Sequence, residues 1–335
     1  MKAYILESYG KPGKVRLTSI PKPKAGPREA LVRVRAAGLN PVDFKTRDGM
    51  LRVVQNYDLP AVMGNELAGV VEALGDDVSE YAVGDRVFAR MPKDSMGALA
   101  SFAIVPVDLL ARIPENLAFE TAAGVPLAGL TALQALRDEL QLGPGKRVFI
   151  SAGAGGVGTF AIQIAKWLGA EVITTASPRG RELVERVGAD RVIDYTSEDF
   201  TETVSEVDGA FDLLGGETLE RTFGIVKSRG RVISIAALPE PRTATMDLGR
   251  GKLLAVLFWI ASFRLRRKAA KHSVDYRFLF MHPSGSELSE LAELIKDEKL
   301  VPIIDKVFSF SEVDQAFAYL EEGRAKGKVV VTMGE

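Results

Sequence analysis

The chain has 335 residues, 47% of them hydrophobic, a formal net charge of −1 and no cysteine. That length calls for about two domains around large cores, and the near-neutral balance excludes the basic footprint of a nucleic-acid binder. Without a thiol there is no disulfide, no thiolate metal site and no cysteine nucleophile.

The opening "MKAYILESYG" lacks the basic and apolar regions of a secretory signal, so a soluble, cytoplasmic protein is expected. From residue 1 to 122 the pattern is mostly β. The β-branched runs "ALVRVRAAGL", "LAGVVEALG", "DRVFAR" and "SFAIVP" alternate with turn signals such as "LGDD" and "EYAVGD". The rhythm then changes. "RVFIS", "EVITTAS", "RVIDY", "FDLLG", "RVISIA" and "YRFLFM" read as six strands between residues 147 and 281, most of them separated by helical stretches. Strands alternating with helices predict a parallel sheet covered on both faces, and six in this rhythm match a doubly wound α/β fold. After a helix at 286–299, the tail "VPIIDKVFSF…GKVVVTM" turns strand-like and is expected to return to the first domain.

The loop "SAGAGGVG", residues 151–158, follows the first of these strands and opens a helix. A bare G-x-G-x-x-G says little, but inside a βαβ unit it points to a dinucleotide. Gly153 is read as the tight turn, Gly155 as the point of close backbone approach to a pyrophosphate, and Gly158 as the helix–strand contact. The helix N-terminus then offers free N–H groups to the anion. At the end of the second strand, where NAD-binding folds place a carboxylate, stands Ser177, followed by Arg179 and Arg181. A guanidinium forks onto a 2′-phosphate that a carboxylate would repel, so NADP(H) is favoured, with Tyr195 as a further donor. The alternative is that both arginines are ordinary solvated charges.

The layout resembles the medium-chain dehydrogenase/reductase superfamily. "AAGLNPVDFKTRDG", "GNELAGVVEALGDDVSEYAVGDRV", "VPLAGLTALQAL" and "VFISAGAGGVGTFAIQIAKWLGA" carry the likeness. It implies a GroES-like mostly-β catalytic domain over 1–122 and 284–335, and a Rossmann domain with a six-stranded sheet over 123–283. Zinc-using members place Cys and His ligands in the first two stretches. Here Asn40 and Asn65 stand in that neighbourhood, and His272 and His282 are the only histidines. Catalytic zinc takes three protein ligands, so no metal is expected.

"NPVDFKTRDG" and "HPSGSELSELAELIKDEKLVPIIDKVFSFSEVDQAFAYLEEGRAKGKVVV" resemble more closely the zinc-independent quinone oxidoreductases and enone reductases. That resemblance implies hydride transfer from NADPH to a quinone or an α,β-unsaturated carbonyl. It places Asn40 and Lys45 beside the nicotinamide as donors to the substrate oxygen, with Asp43 holding their loop; plain turn formation beside Pro41 is the alternative for Asn40 and Asp43. It puts Thr131 against the carboxamide and Ala154, Gly155, Gly156 and Val157 around the pyrophosphate. Leu214, Ala236, Phe278, Leu279 and Phe280 would line the cofactor cleft. A rival of another class is a non-catalytic NADPH-binding sensor or structural protein on the same fold.

Two further expectations concern partners. "YRFLFM", as a bare apolar sheet edge, suggests a homodimer. The segment 252–271, an apolar block followed by arginines and lysines, reads either as a helix packed at an interface or over the cleft, or as a helix on an anionic membrane surface.

Overall fold

The computed structural model describes residues 1–334. The chain divides into two units, Met1–Leu130 with Pro283–Glu335, and Thr131–His282. The division falls at Leu130 and not at 122, because the helix Phe119–Ala123 packs on strands of the first unit.

In the first unit the strands are β1 (Lys2–Ser8), β2 (Lys14–Ser19), β3 (Glu29–Leu39), β4 (Ala61–Val62), β5 (Glu66–Leu74), β6 (Arg86–Arg90), β7 (Phe102–Pro106) and β8 (Leu110–Arg112). The second unit follows with β9 (Arg147–Ile150), β10 (Glu171–Ala176), β11 (Arg191–Asp194), β12 (Val207–Asp212), β13 (Val226–Ser234) and β14 (Asp275–Phe278). The chain then returns to the first unit with β15 (Ile304–Ser309) and β16 (Lys328–Thr332).

The first unit holds a three-stranded sheet, β2-β1-β4, and a seven-stranded sheet ordered β15-β16-β3-β5-β6-β8, with β7 also on β3. Val32, Val34, Leu67, Val71, Val87, Phe317 and Val331 form its core with their neighbours. The long β3 sets the geometry. Its Gly38 lies opposite Glu66 of β5 on one side and Val330 of β16 on the other. A Cβ on Gly38 would overlap the Glu66 carboxylate and the Ala123 carbonyl, so only glycine admits that carboxylate here.

In the second unit six parallel strands run in the order β11-β10-β9-β12-β13-β14, the doubly wound arrangement expected from the alternating pattern. Every carboxyl end therefore opens at one edge of the sheet. Phe149 stacks on Phe200 at 4.9 Å, within a core that includes Ile173, Ile193, Val232 and Tyr276.

Three details depart from the sequence reading. The fourth strand covers "VDGAFD", not "FDLLG": it ends at Asp212, and the leucines lie in the loop beyond, with Leu214 54% exposed. The edge strand β14 is not bare. The Tyr276 carbonyl accepts from Arg242 (2.8 Å) and the Phe278 carbonyl from Thr243 (3.0 Å), so the carbonyls that would bond another strand are occupied. The segment 252–271 forms two helices, Lys252–Ala261 and Phe263–Lys271, joined at the buried Ser262, whose hydroxyl donates to the Phe258 carbonyl at 2.6 Å.

Behind β14 lies a charged cluster. Arg277, 2% exposed, bonds Glu139 (3.1 Å), Glu240 (3.1 Å) and Asp247, while Arg242 pairs with Glu240 and Asp275. Burial alone would lower the Arg277 pKa, but these carboxylates hold it above the ordinary value. The cluster ties the loop before the 252–271 helices to the sheet edge.

Candidate functional site

In the second unit the glycine loop joins β9 to the helix Gly156–Trp167. The left-handed turn is made by Ala152 (φ 51°), not by Gly153. Gly153 is required for another reason: a Cβ there would overlap the Thr174 hydroxyl of β10. Gly158 is pressed against the carbonyls of Ala152 and Gly153. At Gly155, in contrast, a Cβ would meet nothing closer than 3.4 Å and φ is −76°, so the protein itself does not demand glycine. The first bond into the helix runs from Thr159 N–H to the Gly155 carbonyl at 3.0 Å, and no side chain caps this end. The amides of Gly156, Val157 and Gly158 thus precede the helical ladder and are available to an anion.

The other carboxyl-end loops surround this turn. Ser177 is the N-cap of the helix Pro178–Arg186, which starts against the glycine loop: a Cβ on Gly180 would lie 2.9 Å from Ala154. Arg179 is exposed on the first turn. Arg181 is turned to Glu185 (3.5 Å), Glu198 (4.0 Å) and the Val192 carbonyl (3.4 Å). Tyr195, just past β11, is 62% exposed. Leu214, Ala236 and Phe278 follow or end β12, β13 and β14. Leu279 N–H donates to the Ser234 carbonyl and Phe280 N–H to Asp247, both at 3.0 Å. Thr131 is buried within the helix Pro126–Leu133.

Asp212, which the sequence reading passed over, organises this edge. Its carboxylate accepts from Ser234 Oγ (2.6 Å), Ser151 Oγ (3.4 Å), Leu214 N–H (3.2 Å) and Gly215 N–H (3.0 Å). It thereby locks the ends of β9, β12 and β13 together. Burial raises its pKa, while the four donors oppose that shift. An Asp directly after the buried run Gly209–Phe211 was the available signal.

The first unit holds a separate polar cluster at the Gly38 position. Asn40 caps the helix Pro41–Arg47, and its backbone N–H donates to Asp43 Oδ2 at 2.8 Å. Its side-chain amide donates to Glu66 Oε1 at 2.6 Å, and its Oδ1 accepts from Lys328. Lys328 Nζ also donates to Glu66 Oε1 (2.7 Å) and to the Leu39 carbonyl (3.1 Å). Glu66 Oε2 accepts from Leu127 N–H (2.7 Å), near the N-terminus of the helix Pro126–Leu133. Asp43 Oδ1 accepts from Asn65 Nδ2 at 2.7 Å, and Asn65 Oδ1 is buried with no hydrogen-bond partner among the described residues. Burial raises Asp43 to about 6, against the hydrogen bonds from Asn65 and Asn40 that favour its ionised form. Lys45, on the same helix, is half-buried, and its side chain makes no hydrogen bond or ion pair among the described residues. Asn40 and Asp43 are thus brought together with each other and with Glu66 and Lys328. The sequence reading missed Lys328, which lies nearly the length of the chain away.

Two family models match the chain: an alcohol dehydrogenase GroES-like domain over residues 26–115, and a zinc-binding dehydrogenase over 187–331. A mitochondrial NAD(P)H oxidoreductase of Danio rerio is 34% identical over 100% of this chain and 92% of its own length. A chloroplastic NADPH-dependent alkenal/one oxidoreductase of Arabidopsis thaliana is 33% identical over 99% of this chain and 79% of its own. The structure of a quinone oxidoreductase from Coxiella burnetii superposes with a TM-score of 0.85 at 33% identity, covering 99% of both chains.

The second model's zinc does not fit the residues here. The Lys328 ammonium, a cation, already bonds both Asn40 and Glu66, which also bond each other directly, and the neighbouring Asp43 carboxylate is engaged by the Asn65 amide. Among the described residues no three His, Asp or Glu side chains converge as ligands. A dinucleotide does fit, at the uncapped helix with its open Gly155.

Proposed function

The chain belongs to the quinone oxidoreductase and alkenal/one reductase group of the medium-chain dehydrogenase/reductase superfamily, and on that premise we propose that it is an NADPH-dependent reductase of quinones or α,β-unsaturated carbonyls, working without zinc. The observation that carries this reading is the glycine loop on the doubly wound sheet. Its glycine at 155 has no internal reason to be one, and the three amides after it precede the helical ladder with no side chain capping them.

Bound NADPH supplies the hydride. The amides of Gly156, Val157 and Gly158 hold its pyrophosphate. Arg179 pairs with the 2′-phosphate, while Ser177 leaves that position free of a repelling carboxylate. Tyr195 adds a hydroxyl, and Thr131, Leu214, Ala236 and Phe278 to Phe280 line the cofactor's path. Lys45 donates to the oxygen on which negative charge builds during reduction. Asn40 and Asp43, with their donors and acceptors engaged by Glu66, Lys328 and Asn65, hold the helix that presents Lys45. Water supplies the proton.

The test is NADPH consumption against a small panel of quinones, enals and enones. Turnover with any of them supports the reading. Tight NADPH binding without turnover would favour the non-catalytic sensor. The reading includes a homodimer, but not one nucleated by a bare β14 edge; a monomer in sedimentation at micromolar concentration would remove it.

A further inference from the structure

The helix Lys252–Ala261 carries Leu253, Val256, Leu257 and Ile260 at helical spacing with Trp259 beside them, and Phe263 opens the next helix. All six are between 45% and 77% exposed. Of this helix only Phe258 is fully buried. Soluble surfaces rarely leave so many large apolar side chains side by side in water. The helix that follows is basic, and between Arg250 and Lys271 the chain carries seven cations and no carboxylate, in a protein whose net charge is −1. The two faces adjoin: the Arg266 guanidinium lies 5.5 Å from the Trp259 ring and donates to the Trp259 carbonyl at 3.0 Å. Arg264, Arg267 and Lys271 have no ion-pair partner among the described residues. The base is firm, since the Arg277 cluster pins the preceding loop and Lys268 pairs with Glu220.

We propose that the two helices form a platform that docks the protein on an anionic lipid surface, the apolar helix entering the boundary of the acyl chains and the cations meeting the headgroups. The apolar helix, ten residues long, spans about 15 Å, enough to lie in an interface and not to cross one. No helix of the described residues is long and apolar enough to cross a membrane. Charge decides between the possible occupants. A second copy seated on this face across a twofold axis would set the cations against their own like, whereas an anionic bilayer neutralises them. A nucleic acid would engage the cations and leave the six apolar side chains in water. The platform is independent of the reductase reading, and lipid binding tests it without turnover.

The experiment uses the full chain with Trp167→Phe, which leaves Trp259 as the single tryptophan of the original two. It is mixed with vesicles of phosphatidylcholine alone, or of phosphatidylcholine with about one-third phosphatidylglycerol. The expected result is co-sedimentation with the anionic vesicles and a blue-shifted Trp259 emission, both lost at high salt. Arg264→Ala, Arg267→Ala and Lys271→Ala together should weaken partitioning about 100-fold, at about fivefold per cation. Leu257→Asp should abolish the blue shift while the melting temperature, a check on folding, stays put. Failure to sediment with anionic vesicles at low salt overturns the proposal, as does equal binding to both vesicle types. So does a Trp259 shift that appears on concentrating the protein alone as it dimerises. Displacement of the vesicles by duplex DNA, with binding indifferent to Leu257→Asp, overturns it as well.

Discussion

Lys328 and Glu66 form a buried ion pair, Nζ to Oε1 2.7 Å, with side chains 3% and 0% exposed and the Asn40 amide bonded to both. The ammonium thus puts a fixed positive charge beside the Asn40 and Glu66 side chains, where a metal cation would be repelled. Removing one partner of such a pair strands the other charge in a medium that cannot solvate it. Lys328→Met should therefore cost about 3–5 kcal/mol in urea unfolding, and the double variant Lys328→Met/Glu66→Gln should recover much of that loss. If the two single losses simply add in the double variant, the pair is not a unit.

The same arrangement predicts metal indifference. Stripping with a strong chelator should leave NADPH consumption unchanged, and elemental analysis should find no stoichiometric zinc. Activity lost on chelation and restored by zinc would refute it.

Asp43 carries a pH signature. Its carboxyl titrates near 3.8 when unfolded and at about 6 in the folded chain, chiefly because burial penalises the charge. Below the first value both states hold the proton and nothing is lost. Between the two the folded state alone keeps it, so stability falls as pH rises and the loss is complete above about pH 6. The gap corresponds to about 3 kcal/mol. Asp43→Asn removes the titration, so the stability of the variant relative to wild type should rise by about that amount from pH 4 to pH 7. A difference that stays flat over this range would show that the carboxylate titrates elsewhere.

Two of the loop glycines should separate fold from ligand. Gly153→Ala collides with Thr174 and should destabilise by about 1–3 kcal/mol. Gly155→Ala, at an ordinary φ with open space, should leave thermal stability nearly unchanged but weaken NADPH binding tenfold or more, by holding the pyrophosphate off the backbone. Calorimetry and cofactor titration on both variants check this; equal affinities would remove the loop from the binding site.

Cofactor choice turns on Arg179. Wild type should prefer NADPH, and Arg179→Ala should weaken NADPH by about 10- to 100-fold while leaving NADH nearly untouched. Arg181→Ala should matter less, because that guanidinium already faces Glu185 and Glu198. Ser177→Asp should reverse the preference. Equal weakening of both cofactors in the Arg179 variant would make the residue a support for its loop.

Local signals carried most of the nucleotide unit. β9, β10 and β11 lie within a residue of the runs that announced them, since buried parallel strands are continuous apolar segments bounded by turns. β12 was misplaced because its residues, "VDGAFD", are poor strand formers, whereas the Leu213–Leu214 pair beyond it looked like core. Tertiary pairing between β9 and β13 overrides that preference. The polar cluster of the first unit was half legible: Asn40 and Asp43 sit in one motif. Lys328 joins them only because β16 pairs with β3 next to Glu66, and no spacing within a short window encodes that.

The interrupted first unit has a consequence for how the protein is made. Its seven-stranded sheet takes β15 and β16 from residues synthesised after the whole of Thr131–His282. While the chain is still emerging from the ribosome, the nucleotide unit can close around its own sheet. The edge of β3 at Ala36–Leu39 meanwhile waits unpaired, and Glu66 waits without its counter-ion. During that interval the exposed strand is a template for any passing chain, so arrest of translation before Lys328 leaves a product with a finished half and an adhesive one.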